Sequence, residues 1–238
     1  MDKETEKRIA SMEEEIKRLK VSLFDLSMDK KSKEETITRL LIENQKFMQD
    51  KLTNVYLRGP GSDKIEKSFY NTIVDNNIDT KGMCIMFVDI DKLKDANDAK
   101  GHSFGDKLIT SVSNIIKQHV IIDKGDIVCR YGGDEFLVLL NDISHQESIM
   151  AAAYMLEDAK KTKIDNTYQV SMSIGFVHAS QDELNEISDD YKNDKDYDLG
   201  NIIKDYVDRA DDGLYQAKRN GRQDFCDNTQ QKWLVKRR

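Results

Sequence analysis

Ile127-Val128-Cys129-Arg130-Tyr131-Gly132-Gly133-Asp134-Glu135-Phe136-Leu137-Val138-Leu139-Leu140 reads as an apolar strand that reverses at two glycines and returns as a second apolar strand. Glycine accepts the positive φ that tight hairpin turns need, so the stretch predicts a β-hairpin with Asp134 and Glu135 at its mouth. By itself a Gly-Gly-Asp turn is more often ordinary hairpin chemistry than a catalytic site, because both residue types populate turns for conformational reasons. The surrounding chain decides its meaning.

Upstream, Met83-Cys84-Ile85-Met86-Phe87-Val88 is an apolar run of strand length between turn signals, which predicts a central buried strand ending in Asp89-Ile90-Asp91. A carboxylate at the open end of such a strand is a natural ligand for a hard cation. Asp89 and Asp134 leave strands that should be neighbours, which would bring two carboxylates together. Between the strands lie Asn97 and Asp106, which suit either helix caps and solvated turns or the reading of a guanine edge. In the second case a carboxylate accepts from N1 and N2 while an amide serves the acceptor groups. His102 taken alone is a solvated loop residue. From Asp106 a helix follows with Leu108, Ile109, Val112, Ile115 and Ile116 on its apolar face.

Downstream, Glu147 to Lys161 reads as a helix, and Tyr168 to Val177 alternates as a strand with one polar face. Residues 180–200 are rich in Asp and Glu with little apolar content, and no liganding pattern such as an EF-hand is present, so a solvated loop is expected. Ile202 to Lys218 is an amphipathic helix stopped by Gly221, where Lys218 and Arg222 are already expected as cations near a helix C-terminus. The basic tail, Lys232 to Arg238, carries Trp233 and Leu234 and is too short to interpret.

The beginning of the chain has a different period. Ile9, Ile16, Leu23, Ile37 and Asn44 share one heptad position, and Met12, Leu19, Leu26, Leu40 and Phe47 the other, with Lys30 and Lys33 interrupting the seam. This predicts a coiled-coil helix over residues 1–54 that forms a parallel homodimer; the alternative is one amphipathic helix packed on its own domain. Arg58-Gly59-Pro60-Gly61-Ser62 reads as a helix-stopping boundary, Asp63 as the N-cap of a short helix carrying Ile65, Phe69, Ile73 and Val74, and Asn76 to Gly82 as a turn.

The 238 residues carry a formal net charge of −7, which argues against a general binder of nucleic acid or of anionic membrane. Cys84, Cys129 and Cys226 are far apart and form no CxxC pair, so reduced thiols are expected. No run of about 18 apolar residues suggests a membrane span, and no signal peptide is visible, so the expectation is a soluble, cytoplasmic protein without membrane or nucleic-acid partners.

The motifs Phe87-x-Asp89-Ile90-Asp91-x-x-Lys94-x-x-Asn97-Asp98, Gly101-His102-x-x-Gly105-Asp106 and Arg130-Tyr131-Gly132-Gly133-Asp134-Glu135-Phe136 resemble, in order, the signatures of the GGDEF domain of diguanylate cyclases. Asp50-x-Leu52-Thr53 resembles the wide turn that precedes that domain, and Asp211-x-x-Leu214-Tyr215-x-Ala217-Lys218-x-x-Gly221-Arg222 resembles its last signature. The resemblance implies an α+β fold, a mainly antiparallel central sheet flanked by helices in the palm-like manner of nucleotidyl cyclases. The cyclase domain would run over residues 55–227, after the coiled-coil helix and before a short tail at 228–238.

The same resemblance implies condensation of two GTP into cyclic di-GMP and pyrophosphate across a homodimer. Mg²⁺, with Mn²⁺ as a substitute, would be held by Asp89, the Ile90 carbonyl and Asp134. Asp134, Glu135, Lys94 and Arg130 would be catalytic, and Asn97, His102, Asp106, Lys218 and Arg222 would bind substrate. The alternative is a catalytically inactive domain that binds GTP or cyclic di-GMP as a regulatory module. Two positions depart from the family pattern. Asp123-Lys124-Gly125-Asp126 stands where many members have an Arg-x-x-Asp product-inhibition site, and Leu93 stands where phenylalanine is common.

Overall fold

The computed structural model describes residues 14–18, 33–39, 47–74, 80–194 and 197–229. The chain divides into two units, residues 1–47 and 48–238. In the first, 14–18 and 33–39 are helical, with Arg18 reaching Glu14 at 3.7 Å and the Thr38 hydroxyl donating to the Glu34 carbonyl at 2.7 Å. Of the heptad positions described here, Ile16, Ile37 and Phe47 are exposed. Ile9, Met12, Leu19, Leu23, Leu26, Lys30, Leu40 and Asn44 lie outside the described residues, as do the tail Lys232 to Arg238 and most of the expected turn before Gly82.

The second unit is built on β2 (Gly82–Ile90), every residue of which is buried. It pairs antiparallel with β4 (Glu135–Asn141) on one side and β7 (Met172–Ser180) on the other. β3 (Ile127–Arg130) runs antiparallel to β4, and the short edges β1 (Tyr56–Leu57) and β8 (Phe225–Asp227) lie parallel to β3 and β7. The six strands are ordered β1-β3-β4-β2-β7-β8.

Because strand side chains alternate between faces, one apolar run supplies two cores. Cys84, Met86, Val88 and Ile90 pack with the helices α2 (Leu93–Lys100), α3 (His102–Gln118) and α4 (His145–Lys161). Met83, Ile85 and Phe87 pack with α1 (Arg58–Val74), α5 (Gln181–Asn193) and α6 (Leu199–Arg219). A small separate pair, β5 (Lys163–Ile164) and β6 (Tyr168–Gln169), follows α4. α4 starts on a capping box in which the Ser144 hydroxyl accepts from the Glu147 amide at 3.3 Å and Glu147 accepts from the Ser144 amide at 2.8 Å. Main chain lies on main chain where α6 crosses β7: a Cβ on Gly175 would run into the backbone at Ala210, Gly213 and Leu214.

Several expectations need correction. The hairpin forms, but neither Gly132 nor Gly133 has a positive φ. The connection spans Tyr131 to Asp134 and is closed by the Tyr131 and Gly132 amides donating to the Glu135 carbonyl at 2.8 and 3.2 Å, so it is wider than a two-residue turn. The end of the Glu135 side chain folds back over Gly132. The Gly-Pro stretch opens α1 where a helix stop was expected, and Asp63 lies inside the helix, because proline costs little in a first turn whose N–H groups have no partner. The acidic stretch forms α5: Ser180 caps it by accepting from the Glu183 amide, and Leu184 and Ile187 bury one stripe while Asp182, Glu186, Asp189 and Asp190 face water. β7 lacks the expected polar face; Ser173 is buried. The helix read from Asp106 begins a turn earlier, at His102.

Candidate active site

One end of the sheet collects the charged groups. Asp89, 6 % exposed, sits on β2 directly across from Glu135, the first residue of β4. The Ile90 amide donates to the Asp134 carbonyl at 3.1 Å, which locks the hairpin mouth to the end of β2. Lys218, in the last turn of α6, places Nζ 2.8 Å from Asp89 Oδ2. The Asp89 carboxyl is pushed up to about 6, chiefly by burial; Lys218 opposes the shift, and the charges of Asp134 and Glu135 add to it.

Two residues on, Asp91 accepts from the hydroxyls of Ser171 and Ser173 at 2.6 and 2.8 Å and from the Gln223 amide at 3.1 Å. Arg222 Nε lies 3.9 Å from Asp91 Oδ1. Asp91 stood in the first motif without a role, because nothing in the linear pattern showed that β7 and the turn after α6 converge on it.

A second group forms where α2 meets α3. Asn97 packs its side-chain oxygen against Gly105, next to Asp106, and that oxygen is buried without a hydrogen-bond partner. Asp106 lines an open groove of about 400 Å³ with Leu52, Lys107, Thr110, Ser111, Lys163 and Ile164. His102, the first residue of α3, and Lys94, on α2, are exposed. Asn97 and Asp106 are thus brought together, while His102 and Lys94 are placed near them only through their helices.

Arg130 differs from the expectation of a group facing phosphate. Its NH1 lies 3.2 Å from both carboxylate oxygens of Asp50, and its Nε and NH2 donate to the Gly133 carbonyl at 3.2 and 2.7 Å. The guanidinium therefore clasps the wide turn to the hairpin and has little left for a substrate. Burial pushes the Asp50 carboxyl up, but hydrogen bonds from the Thr53 hydroxyl and amide and the charge of Arg130 outweigh it and leave it below the usual range. The unfolded chain binds that proton near 3.8, so the stabilisation is fully present above that pH and is lost as pH falls through the lower folded value. Asp50→Asn should therefore be less stable than the parent by about 1 kcal/mol near neutral pH, with the gap closing in strong acid. Urea unfolding at pH 7 and pH 3 measures it, and a gap that widened in acid would contradict the clasp.

Oxygen donors from Asp89, Asp134 and the main chain suit a hard divalent ion, and no group of three or more His, Cys, Asp or Glu forms a metal cage among the described residues. One or two carboxylates completed by water and substrate phosphate is the way Mg²⁺ is commonly bound. The residues present fit such an ion.

The sequence profile of the family described as diguanylate cyclase, GGDEF domain, matches residues 47–199. The chain belongs to the GGDEF diguanylate cyclase family. Among curated relatives, this GGDEF chain is 32 % identical over 181 residues to the probable diguanylate cyclase DgcT of Escherichia coli K12, covering 73 % of the chain and 34 % of that protein. It is 32 % identical over 143 residues to diguanylate cyclase A of Treponema denticola, covering 59 % of the chain and 33 % of that relative. The chain thus spans about a third of the length of the curated relatives it matches.

Among solved structures, the coiled coil and GGDEF domain of DgcB from Caulobacter crescentus, in complex with c-di-GMP, aligns with a TM-score of 0.59 at 21 % identity, over 94 % of this chain and 98 % of that one. Diguanylate cyclase SiaD from Pseudomonas aeruginosa, in complex with its activator SiaC, gives 0.59 at 20 %, over 94 % and 83 %. At these identities the likeness concerns the fold. Among the described residues no helix is long and apolar enough to cross a membrane.

Proposed function

We propose that this chain condenses two GTP molecules into cyclic di-GMP with release of pyrophosphate, each GTP held by one subunit of a homodimer. The observation that carries the reading is the convergence of Asp89, Asp134 and Glu135 on one sheet end, with Lys218 paired to Asp89. Asp89, the Ile90 carbonyl and Asp134 would hold Mg²⁺, or Mn²⁺ in its place, which when bound would supply Lewis-acid activation of the ribose 3′-hydroxyl and countercharge for the phosphates. Asp134 takes up the 3′-hydroxyl proton, being the less buried of the two carboxylates. Glu135 supports the same site from across the ladder. Lys218, Arg222 and Lys94 neutralise the triphosphate, while Asn97, with its unpartnered oxygen, and Asp106 receive the guanine, and His102 stands beside the ribose. Arg130 serves by holding the hairpin in place.

A two-fold symmetric product calls for two facing sites, which an isologous dimer provides, and the arm over residues 1–54 is the dimerisation element in this reading. The test is incubation of the purified chain with GTP and Mg²⁺ and identification of the product by mass. GTP binding without any product would favour the regulatory module.

Feedback by product is expected to be weak. Asp126 is buried and accepts from the Ile121 and Asn141 amides at 2.7 and 2.8 Å, so it anchors the loop, while Asp123 on the exposed turn Ile122–Lys124 offers an anionic ligand repulsion where a guanidinium fork would attract it. Initial rates measured with added cyclic di-GMP should hardly change at low micromolar product; submicromolar inhibition would contradict this.

A further inference from the structure

We infer that Asp91 is a positioning residue for the triphosphate, acting through the turn Gly221–Gln223 that follows α6. The inference rests on the reading of Lys218 and Arg222 as phosphate contacts. Asp91 lies two residues after Asp89, in the turn just past the end of β2. Asp89 meets Lys218 and stays at the open end, whereas the Asp91 side chain is only 2 % exposed. Its carboxylate accepts from Ser171 and Gln223 at Oδ2 and from Ser173 at Oδ1, with Arg222 Nε beyond the latter. A carboxylate has about four lone-pair sites, and these are directed at protein donors, so Asp91 is not a further metal ligand.

The turn it holds is strained. Gly221, Arg222 and Gln223 have φ values of 121°, 67° and 50° in succession, and non-glycine residues persist in this region only when their surroundings fix them. Two bonds do so: the Arg222 amide donates to the Ala217 carbonyl at 3.2 Å, closing the end of α6, and the Gln223 amide donates to Asp91 at 3.1 Å. The first ties the turn to its own helix. The second ties it to the strand that carries Asp89. Asp91 is therefore what sets the distance between the cations at the end of α6 and the carboxylates at the end of β2. An amide at position 91 would present N–H groups to donors already there and release the turn.

The experiment compares the parent with Asp91→Asn, Ser171→Ala, Arg222→Ala and Asp91→Asn/Arg222→Ala, all as the full chain. The readouts are steady-state kinetics in GTP, equilibrium binding of a GTP analogue unreactive at the α-phosphate, and thermal unfolding. Asp91→Asn should raise the GTP KM and weaken analogue binding by about tenfold while kcat stays within about twofold, because the phosphate contacts are made in ground and transition states alike. Ser171→Ala should move KM the same way by about threefold. The double variant should bind no more weakly than Arg222→Ala alone. Analogue binding by Asp91→Asn equal to that of the parent, or strictly additive losses in the double variant, would overturn the inference. Should Asp91→Asn not fold, an unchanged KM in a folded Ser171→Ala would overturn it equally. A parent that binds no analogue at all would instead remove the phosphate reading on which the inference stands.

Discussion

Asp134→Asn is expected to lower turnover of GTP by at least about a thousandfold, since one substitution removes both a metal-binding carboxylate and the acceptor for the 3′-hydroxyl proton. The fold should survive. The contact that Asp134 makes with the end of β2 runs through its backbone carbonyl, which accepts from the Ile90 amide and is untouched by the change of side chain. Removing the Asp134 charge also relieves part of the repulsion that helps push Asp89 up to about 6, so the metal-free variant should unfold at the same urea concentration as the parent or slightly higher. Product formation is followed by anion exchange and mass, and unfolding by circular dichroism. Activity above a tenth of the parent's would take Asp134 out of both roles. A collapse in stability would mean that the hairpin mouth depends on the carboxylate itself.

The largest effect on stability should come from Gly175→Ala. A methyl group there meets Ala210 O, Leu214 N and, at 2.5 Å, the carbonyl carbon of Gly213. These are all main-chain atoms of α6, so no side chain can turn aside, and the helix has to lift from β7. Overpacking of this kind costs about 3 kcal/mol or more when the backbone must move. Because the last turn of α6 carries Lys218 and leads into the turn bearing Arg222, the same variant should also bind GTP poorly even under conditions where it stays folded. Gly133→Ala is the control: its Cβ would meet nothing within 4 Å, and its stability should change by less than about 1 kcal/mol. Equal unfolding midpoints for the two variants would show that α6 is not seated on Gly175 in solution.

How much of this could be read from the chain depends on whether the cause was local. β2 was legible because an uninterrupted apolar run can only be buried on both faces, and α6 because its stripe recurs at helical spacing. α5 was obscured by composition. Leu184 and Ile187 are few against the acids around them, yet Ser180 with Glu183 three residues on is a helix-start pattern that was there to be read. The burial of Ser173 had no local signal: it lies in a strand paired on both sides, and its hydroxyl is satisfied there by donating to Asp91, a partner from a distant part of the chain. The same is true of Arg130, whose motif neighbours suggest a phosphate contact and whose actual partner, Asp50, belongs to the turn that opens the domain. Strand-end carboxylates were found because motif and topology agree on them; clasping residues were not, since pairing across the sheet leaves no periodic trace.

The burial of β2 on both faces, and its pairing along both edges, has a consequence for hydrogen exchange. Amides in the middle of β2, such as those of Ile85 and Met86, should exchange only when the whole domain unfolds, so their rates report global stability. The short outer strands, β8 paired on one side and β1 carrying only a single bridge to Gln49 on its far side, should exchange through local opening. Asp89 thus belongs to the slowest-exchanging part of the molecule, while the turn bearing Arg222 leads into an edge that opens more readily. In deuterium the two halves of the site should separate by rate: the carboxylate wall labels last, and the cationic wall labels early, before the domain has unfolded.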